Sequence, residues 1–485
     1  MSVGIVGYGV YIPKYRLKRE DIARVWGGRA PGINEKSVVG FDEDATTMAV
    51  AAAQNAIAHA GVAPSEVGAL YVGSVSSPYI SKSMAVIIAE ALGMSQSASI
   101  ADFGGSTRSS TIALRSCMDF LEAGRGKYGL VIGTDWQLGV PGDSLEHSLG
   151  AGAAACLLGS GGKIAEFEDS YSLSTSFTGT WRSDGSQFVN RYDDPRYERF
   201  AGYSKIIVDT GKGFFKKTGK TGSDFQYAAF TQPDAQSPAS AAKKLGIKSV
   251  KMPSSIVSPL CGDTGSSSAF LELATALDQA EPGERILLAS YGSGAGSDAF
   301  SLLVSEDINA KRGKTAPVQY YLENKEYIDY YTYQKTIGLL KVKGLPEPMS
   351  AIVTQPSGER EKDYELKLKA LECKGCGSLN FPKRHYCIDC RGEEFEEVPL
   401  PRRGNIITFN FQYVVAVSPE QAPIPICTAK MEGAKGQYGG NVSSMMTDCK
   451  PEDVTVGGKV ELIFRRCGQE LGLVRYGYKF RPVKG

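Results

Sequence analysis

Along residues 1–306 the apolar positions follow two alternating patterns. One is a short, nearly unbroken apolar run: GALYVGSV at 68–75, KYGLVIGTD at 127–135 and ERILLASYG at 284–292. Runs of this length, apolar on both faces, predict strands buried inside a sheet. The other is a longer alanine-rich stretch such as TTMAVAAAQNAIAHAG at 46–61. It predicts a helix that packs closely through small side chains and stops at glycine. The opening MSVGIVGYGVYIPKYRLK lacks the basic-then-apolar order of a signal peptide and also reads as a buried strand. Strands alternating with helices predict an α/β fold, a parallel-rich sheet covered on its faces.

The pattern occurs twice. Residues 105–135 laid over 262–292, an offset of 157, place GSTRSST on GDTGSSS without a gap. Gly105, Thr107, Ser109, Ser110, Leu114, Ala123, Gly126 and Leu130 match their partners, eight identities in 31 positions. GAGAAACLL at 150–158 further resembles GAGSDAFSLL at 294–303. The shared order of turn, helix, glycine and strand predicts a duplication. Duplicated units bring two equivalent turns together near a pseudo-twofold axis, with two helix N-termini facing one cavity. In ADFGGSTRSST, at 101–111, a strand end, a glycine turn and a helix start set Ser106 and Thr107 at such a terminus.

Residues 307–360 form a connector with many tyrosines, VQYYLENKEYIDYYTYQ among them, read as a packed extension supplying core or dimer surface. The texture then changes to EREKDYELK and to CKGCGSLNFPKRHYCIDC. Cys373, Cys376, Cys387 and Cys390 give CxxC, ten residues, CxxC, the spacing of a tetrahedral Zn²⁺ site. Four sulfurs leave no position for water, so the role is structural, and His385 within the loop is not needed. After the ribbon, GNIITFNFQYVVAV, PIPICTAKMEG and GGKVELIFRR with GLVRYGYKFRP read as strands, about five in all, predicting a small OB-type β-barrel. The expected boundaries are 1–165 and 166–345 for the duplicated halves, 361–395 for the ribbon and 396–485 for the OB-type domain.

Composition narrows the partners. Lys and Arg number 54 against 53 Asp and Glu, a net charge of +1, which gives no electrostatic case for nucleic acid or an anionic membrane surface. No apolar run reaches the ~20 residues that span a bilayer. Ten cysteines in 485 residues, four of them clustered, point to metal in a reducing compartment, so a soluble, cytoplasmic protein is expected.

The stretches at 4–18, 133–159, 230–246, 257–268 and 281–300 resemble the thiolase superfamily, most closely the archaeal-type hydroxymethylglutaryl-CoA synthases. The last ~120 residues resemble the zinc-ribbon/OB-fold proteins that accompany such enzymes, often as separate chains. The resemblance implies a duplicated thiolase fold in five layers, αβαβα, followed by the zinc ribbon and the barrel. It implies acyl-CoA as ligand, a homodimer and, as an alternative, a thiolase-like partner chain. The family's chemistry uses a cysteine, a histidine and a glutamate. Carried over position by position, the cysteine falls on Thr107, the histidine on Thr231 within FTQPD and the glutamate on Val75 within VGSVSSPY. An asparagine in the same site falls on Asp263 within CGDTG, and a lysine that helps hold coenzyme A falls on Gln236. Ser106, Gly262 and Gly294 complete the positions that the resemblance sets against the coenzyme.

Without the acyl-carrying thiol, the scaffold still suits a thioester enolate. The favoured reading is therefore a β-hydroxyacyl-CoA carbon–carbon lyase or synthase working without covalent attachment. Asp263 is either its general base or a helix cap. Thr107 and Thr231 are polar lining, and Tyr203 is either an oxyanion donor or core. Two alternatives stand: a non-catalytic acyl-CoA-binding scaffold subunit, and an acyltransferase with an unusual nucleophile such as Thr107 or Cys261. A hydroxyl nucleophile needs an adjacent base, and the chain holds three histidines, His59, His147 and His385. The loop at 178–200 is expected to shape the acyl pocket.

Overall fold

The computed structural model describes residues 2–28, 32–192, 194–247, 257–340, 355–413 and 423–483. The chain divides into two compact units, Met1–Leu340 and Lys341–Gly485. Among the described residues no helix is long and apolar enough to cross a membrane.

In the first unit nine strands share one sheet. In chain order they are β1 (Gly4–Tyr11), β2 (Val67–Gly73), β3 (Ser99–Phe103), β4 (Tyr128–Trp136), β5 (Ala151–Gly159), β6 (Ala165–Ser174), β7 (Tyr227–Phe230), β8 (Arg285–Gly292) and β9 (Gly296–Val304). The three apolar runs became β2, β4 and β8. The spatial order is β7-β8-β9-β6-β1-β5-β4-β2-β3. Outward from the β1–β6 junction the first four strands on each side correspond, and β3 adds a fifth to the first half. β2 runs parallel to β4 as β7 does to β8, and β4 is antiparallel to β5 as β8 is to β9. The halves join through Gly4↔Glu166 and Ile5↔Ala165, so the duplicated units share one continuous sheet.

Helices make the remaining layers. α1 (Ala45–Ala60) starts at Asp44, whose carboxylate accepts from the Thr47 N–H at 3.0 Å, and ends at Gly61 in the left-handed conformation. It lies so close to β1 that a Cβ on Gly7 would stand 2.7 Å from Ala60 Cβ, and one on Gly9 2.3 Å from Ala56 N. Glycine in the strand and alanine on the helix are the pair that permits this approach. On the opposite face of β1, the Tyr8 hydroxyl donates to Asp278 at 2.6 Å, on α4 (Ser268–Gln279). α4 also packs on β5, β7 and β8, and so lies between the two halves with α2 (Ser109–Glu122). Beyond the second half lies α3 (Lys205–Thr218). Along β8, Ile286 and Leu288 enter the core with α4, while Leu287 and Ala289 enter the core with α3, the period of two that a strand covered on both faces requires. The layers are αβαβα.

The repeat is visible at atomic scale. Ser109 and Ser266, paired by the 157-residue offset, touch through their hydroxyls at 3.1 Å. The tyrosine-rich connector packs on the first unit: Glu326–Ile328 pairs with Tyr15–Leu17, and Tyr333 is buried with Leu17, Ile22 and Val38.

The second unit opens with a three-stranded ribbon of β10 (Lys369–Cys373), β11 (Leu379–Asn380) and β12 (Phe395–Pro399), with β10 in the middle. Five strands follow: β13 (Arg403–Gln412), β14 (Ile424–Met431), β15 (Asn441–Met445), β16 (Lys459–Glu470) and β17 (Leu473–Pro482), ordered β15-β14-β13-β16-β17. The end of GNIITFNFQYVVAV falls in 414–422, outside the described residues. Strand number agrees with the expectation, and among the described residues no continuous ladder closes the sheet. Its edges meet at one parallel bridge, Met446↔Phe480, supported by the Thr447 N–H donating to Phe480 O at 2.8 Å.

Candidate active site

Two glycine turns, one per half, open onto a cavity of about 370 Å³ in the first unit. In the first half, Gly105 takes φ +86° and carries the chain from β3 into α2. Arg108, the residue before α2, is buried and grips Asp298 on β9 with two bonds of 2.8 Å, Nε to Oδ2 and Nη2 to Oδ1. The Thr111 hydroxyl donates to the same carboxylate at 2.8 Å. This buried ion pair ties the first half's turn to the second half's sheet and holds the Asp298 carboxyl below the usual carboxylate range, against its burial. Thr107, one residue earlier, lines the cavity, and its hydroxyl donates to Tyr291 O at 3.0 Å.

In the second half, Gly262 takes φ +76°, and a Cβ there would stand 2.5 Å from Ser148 O. The Asp263 N–H donates to Ser148 O and the Gly150 N–H to Asp263 O, both at 2.7 Å. These bonds fix the backbone and turn the half-buried Asp263 side chain into the cavity. Its Oδ1 accepts one bond, from the Gly265 N–H at 2.9 Å, as a cap does. Burial pushes the Asp263 carboxyl up to about 7 against that bond, and the charges of Asp135, Glu198 and Asp234 push the same way.

Tyr203 and Thr231 line the same space. The Tyr203 hydroxyl donates to Thr231 O at 2.6 Å, and the Tyr291 N–H donates to the Thr231 hydroxyl at 3.1 Å. The proton of Tyr203 is thus committed to the backbone, and the tyrosine braces the wall. Thr107, Thr231, Tyr203 and Asp263 are therefore brought together.

The other four residues stand behind the lining. Ser106 and Gly262 belong to the two turns, Gln236 precedes the helix Ser237–Lys244, and Gly294 donates its N–H to Phe177 O at 2.7 Å. Their neighbours Thr107, Asp263, Ser237 and Ser293 face the cavity. Val75 is outside it. Its loop is clamped by the buried Asp135, whose Oδ1 accepts from the N–H groups of Val75 at 2.8 Å and Ser76 at 2.9 Å.

Among the described residues no cysteine or histidine lines the cavity. Cys261 is fully buried, donates to Val257 O at 3.1 Å, and burial pushes its thiol up to about 12. His59 is buried against the Tyr8 ring, His147 lies against Gly28, and His385 is exposed on the ribbon.

The loop at 178–200 contributes Thr180, Val189, Arg191, Glu198 and Arg199 to the lining. Thr180–Trp181 and Phe188–Arg191 pair into a small sheet with Leu138–Gly139, which fixes the loop to the end of β4. Glu198 and Arg191 were not singled out from sequence, because nothing periodic in that loop marks which side chains turn inward.

In the ribbon, the four cysteine sulfurs lie within 4.8 Å of one another. The Cys373–Cys390 separation is 3.5 Å and Cys376–Cys387 is 3.6 Å. Zn–S bonds of ~2.3 Å in a tetrahedron require ~3.8 Å between sulfurs, so the donor set fits a structural Zn²⁺.

Comparison with known proteins agrees with this architecture. Residues 215–304 match the family model of the 3-oxoacyl-[acyl-carrier-protein] synthase III C-terminal domain, and 360–396 match the ChsH2 rubredoxin-like zinc ribbon. A solved HMG-CoA synthase complexed with CoA superposes with a TM-score of 0.63 at 20% identity, over 73% of this chain and 95% of that one. The hydroxymethylglutaryl-CoA synthase of Methanocaldococcus jannaschii is 43% identical over 342 residues, 68% of this chain and 97% of its own. That of Methanothermobacter thermautotrophicus is 42% identical over 349 residues, 70% and 99%. The chain belongs to the hydroxymethylglutaryl-CoA synthase family of the thiolase superfamily and carries a zinc ribbon beyond the synthase region.

Proposed function

We propose that the cavity binds a coenzyme A thioester and makes or breaks the Cα–Cβ bond of a β-hydroxyacyl-CoA without forming an acyl-enzyme. The observation that carries this reading is the lining itself: Asp263 and Thr107 share one cavity, and among the described residues no thiol or imidazole lines it. A carboxyl brought up to about 7 is matched to taking a hydroxyl proton near neutrality. In the cleavage direction Asp263 accepts the proton of the β-hydroxyl group. The oxygen's electron pair forms the carbonyl, and the Cα–Cβ pair is left on the thioester as an enolate. The N-terminus of α2 at Thr107 and the turn at Gly262 supply positive dipole ends near that charge.

Thr107 is poorly placed to carry an acyl group. Its hydroxyl proton rests on a backbone carbonyl, which is no base, so it lacks the activation that a hydroxyl nucleophile needs. The proposed coenzyme site follows from the turns and from the relatives' structures, and the zinc ribbon adds a structural Zn²⁺ held by four thiolates.

The test uses the full chain and a panel of β-hydroxyacyl-CoAs, with acyl-CoA and carbonyl products followed together. Cleavage of at least one member, lost in Asp263→Asn with CoA binding retained, is the expected result. Unchanged turnover in Asp263→Asn removes the base assignment. CoA binding with no turnover of any member indicates the scaffold role. A stable acetyl adduct on Thr107 or Cys261 in the intact mass after acetyl-CoA treatment restores the acyltransferase.

A further inference from the structure

We propose that Glu198 is a second catalytic carboxyl, the group that gives a proton to, and takes one from, the α-carbon of the bound acyl-CoA. The inference rests on the aldol reading for its reaction and on separate geometry for its residue.

The chemistry asks for two proton-handling groups. When the Cα–Cβ bond breaks, the hydroxyl proton has gone to Asp263 and an electron pair remains on the enolate. Release of the acyl-CoA requires a new C–H bond at Cα, made by a group that starts the step protonated. One carboxyl must therefore begin ionised and the other neutral, the arrangement that places two acids in different surroundings. After the step Asp263 carries a proton and Glu198 has lost one. Exchange with solvent resets both, and no other reactant is consumed.

Glu198 has the placement for this. It opens a seven-residue π-helical stretch, Glu198–Ser204, that sets Glu198, Arg199 and Tyr203 all on the cavity wall. Such stretches are rare and concentrate at functional sites. Among the described residues the Glu198 carboxylate has no hydrogen bond and no ion pair, although the residue is half-buried. Its acidic neighbours differ. Asp234 accepts from the N–H groups of Gln236 and Ser237, both at 2.8 Å, and from the Ser237 hydroxyl at 2.5 Å, with Arg199 3.6 Å away. Asp135 is saturated by backbone and hydroxyl donors. Glu198 is a lining carboxyl without protein partners, whereas Asp234 is held by several donors, so Glu198 is free to meet a ligand. Burial favours its neutral form, and Arg191 opposes this.

The experiment is hydrogen exchange at Cα in D₂O, with acetyl-CoA and propionyl-CoA as probes and the full chain as catalyst, followed by NMR. The unsubstituted protein is expected to exchange the α-hydrogens. Glu198→Gln is expected to slow exchange by roughly 100-fold or more, and Asp263→Asn, which removes the β-hydroxyl base, to slow it less than Glu198→Gln does. Glu198→Asp is expected to recover part of the rate. Melting temperature and acetyl-CoA affinity, measured on each variant, are expected to stay near those of the parent. Exchange by Glu198→Gln at the parental rate overturns the assignment, as does loss of acetyl-CoA binding in that variant. Loss of exchange in Asp263→Asn alone moves the α-carbon role to Asp263 and leaves an enolate-forming site standing. No exchange by the parent protein overturns the enolate chemistry and Glu198 with it.

Discussion

The two glycine turns share an origin and differ in what they show the cavity. Under the 157-residue offset Ser106 corresponds to Asp263 and Thr107 to Thr264. Both turns rest on a positive-φ glycine, and both feed a helix of the central layer. In the first turn Ser106 is buried and Thr107 faces the cavity; in the second Thr264 is buried and Asp263 faces it. The aligned turns thus present different positions to the cavity, one residue apart. The hydroxyl side meets a carbonyl and has no base. The carboxyl side is held by one N–H and kept near neutrality by burial. Duplication supplied the frame, and a single position in one copy places a carboxyl at the cavity.

The comparison breaks most directly at those two positions. Asp263→Asn is expected to lower kcat for β-hydroxyacyl-CoA cleavage by roughly 10²–10⁴-fold, while Thr107→Ala lowers it less than about tenfold. Steady-state kinetics on the two variants checks this, and equal losses would erase the distinction between the turns.

The next effect is on stability. Arg108→Ala leaves the Asp298 carboxylate buried without its bidentate partner. A loss of about 3–5 kcal/mol is expected, read as a lowered denaturation midpoint. The smallest effect concerns the contact across the pseudo-twofold axis. Ser266→Ala removes the hydroxyl that meets Ser109 at 3.1 Å and is expected to cost about 0.5–1.5 kcal/mol, with kcat nearly unchanged.

How much of this was readable beforehand follows from the range of the interactions. The apolar runs located β2, β4 and β8, because burial on both faces leaves a local mark. The repeat forecast the meeting of the two turns, and the hydroxyl contact of Ser109 with Ser266 is its most literal expression. Cysteine spacing located the metal site, since chelate geometry is encoded within a few residues. The loop at 178–200 was expected to shape the pocket and lines it with five residues. Other features were out of reach. Arg108 and Asp298 are 190 positions apart, and no local pattern pairs them. Glu198 turns inward through a π-helical stretch that has no sequence period of its own.

The central claim is that an ionised Asp263, and no thiol, begins the reaction. The pH dependence of kcat/KM for β-hydroxyacyl-CoA cleavage tests it most directly. A base must be deprotonated to act, so activity is expected to rise with pH and to reach half its plateau near the Asp263 value of about 7, and Asp263→Asn is expected to lose that rising limb. A profile whose rising limb persists unchanged in Asp263→Asn, or whose activity falls as pH increases through 7, would contradict it.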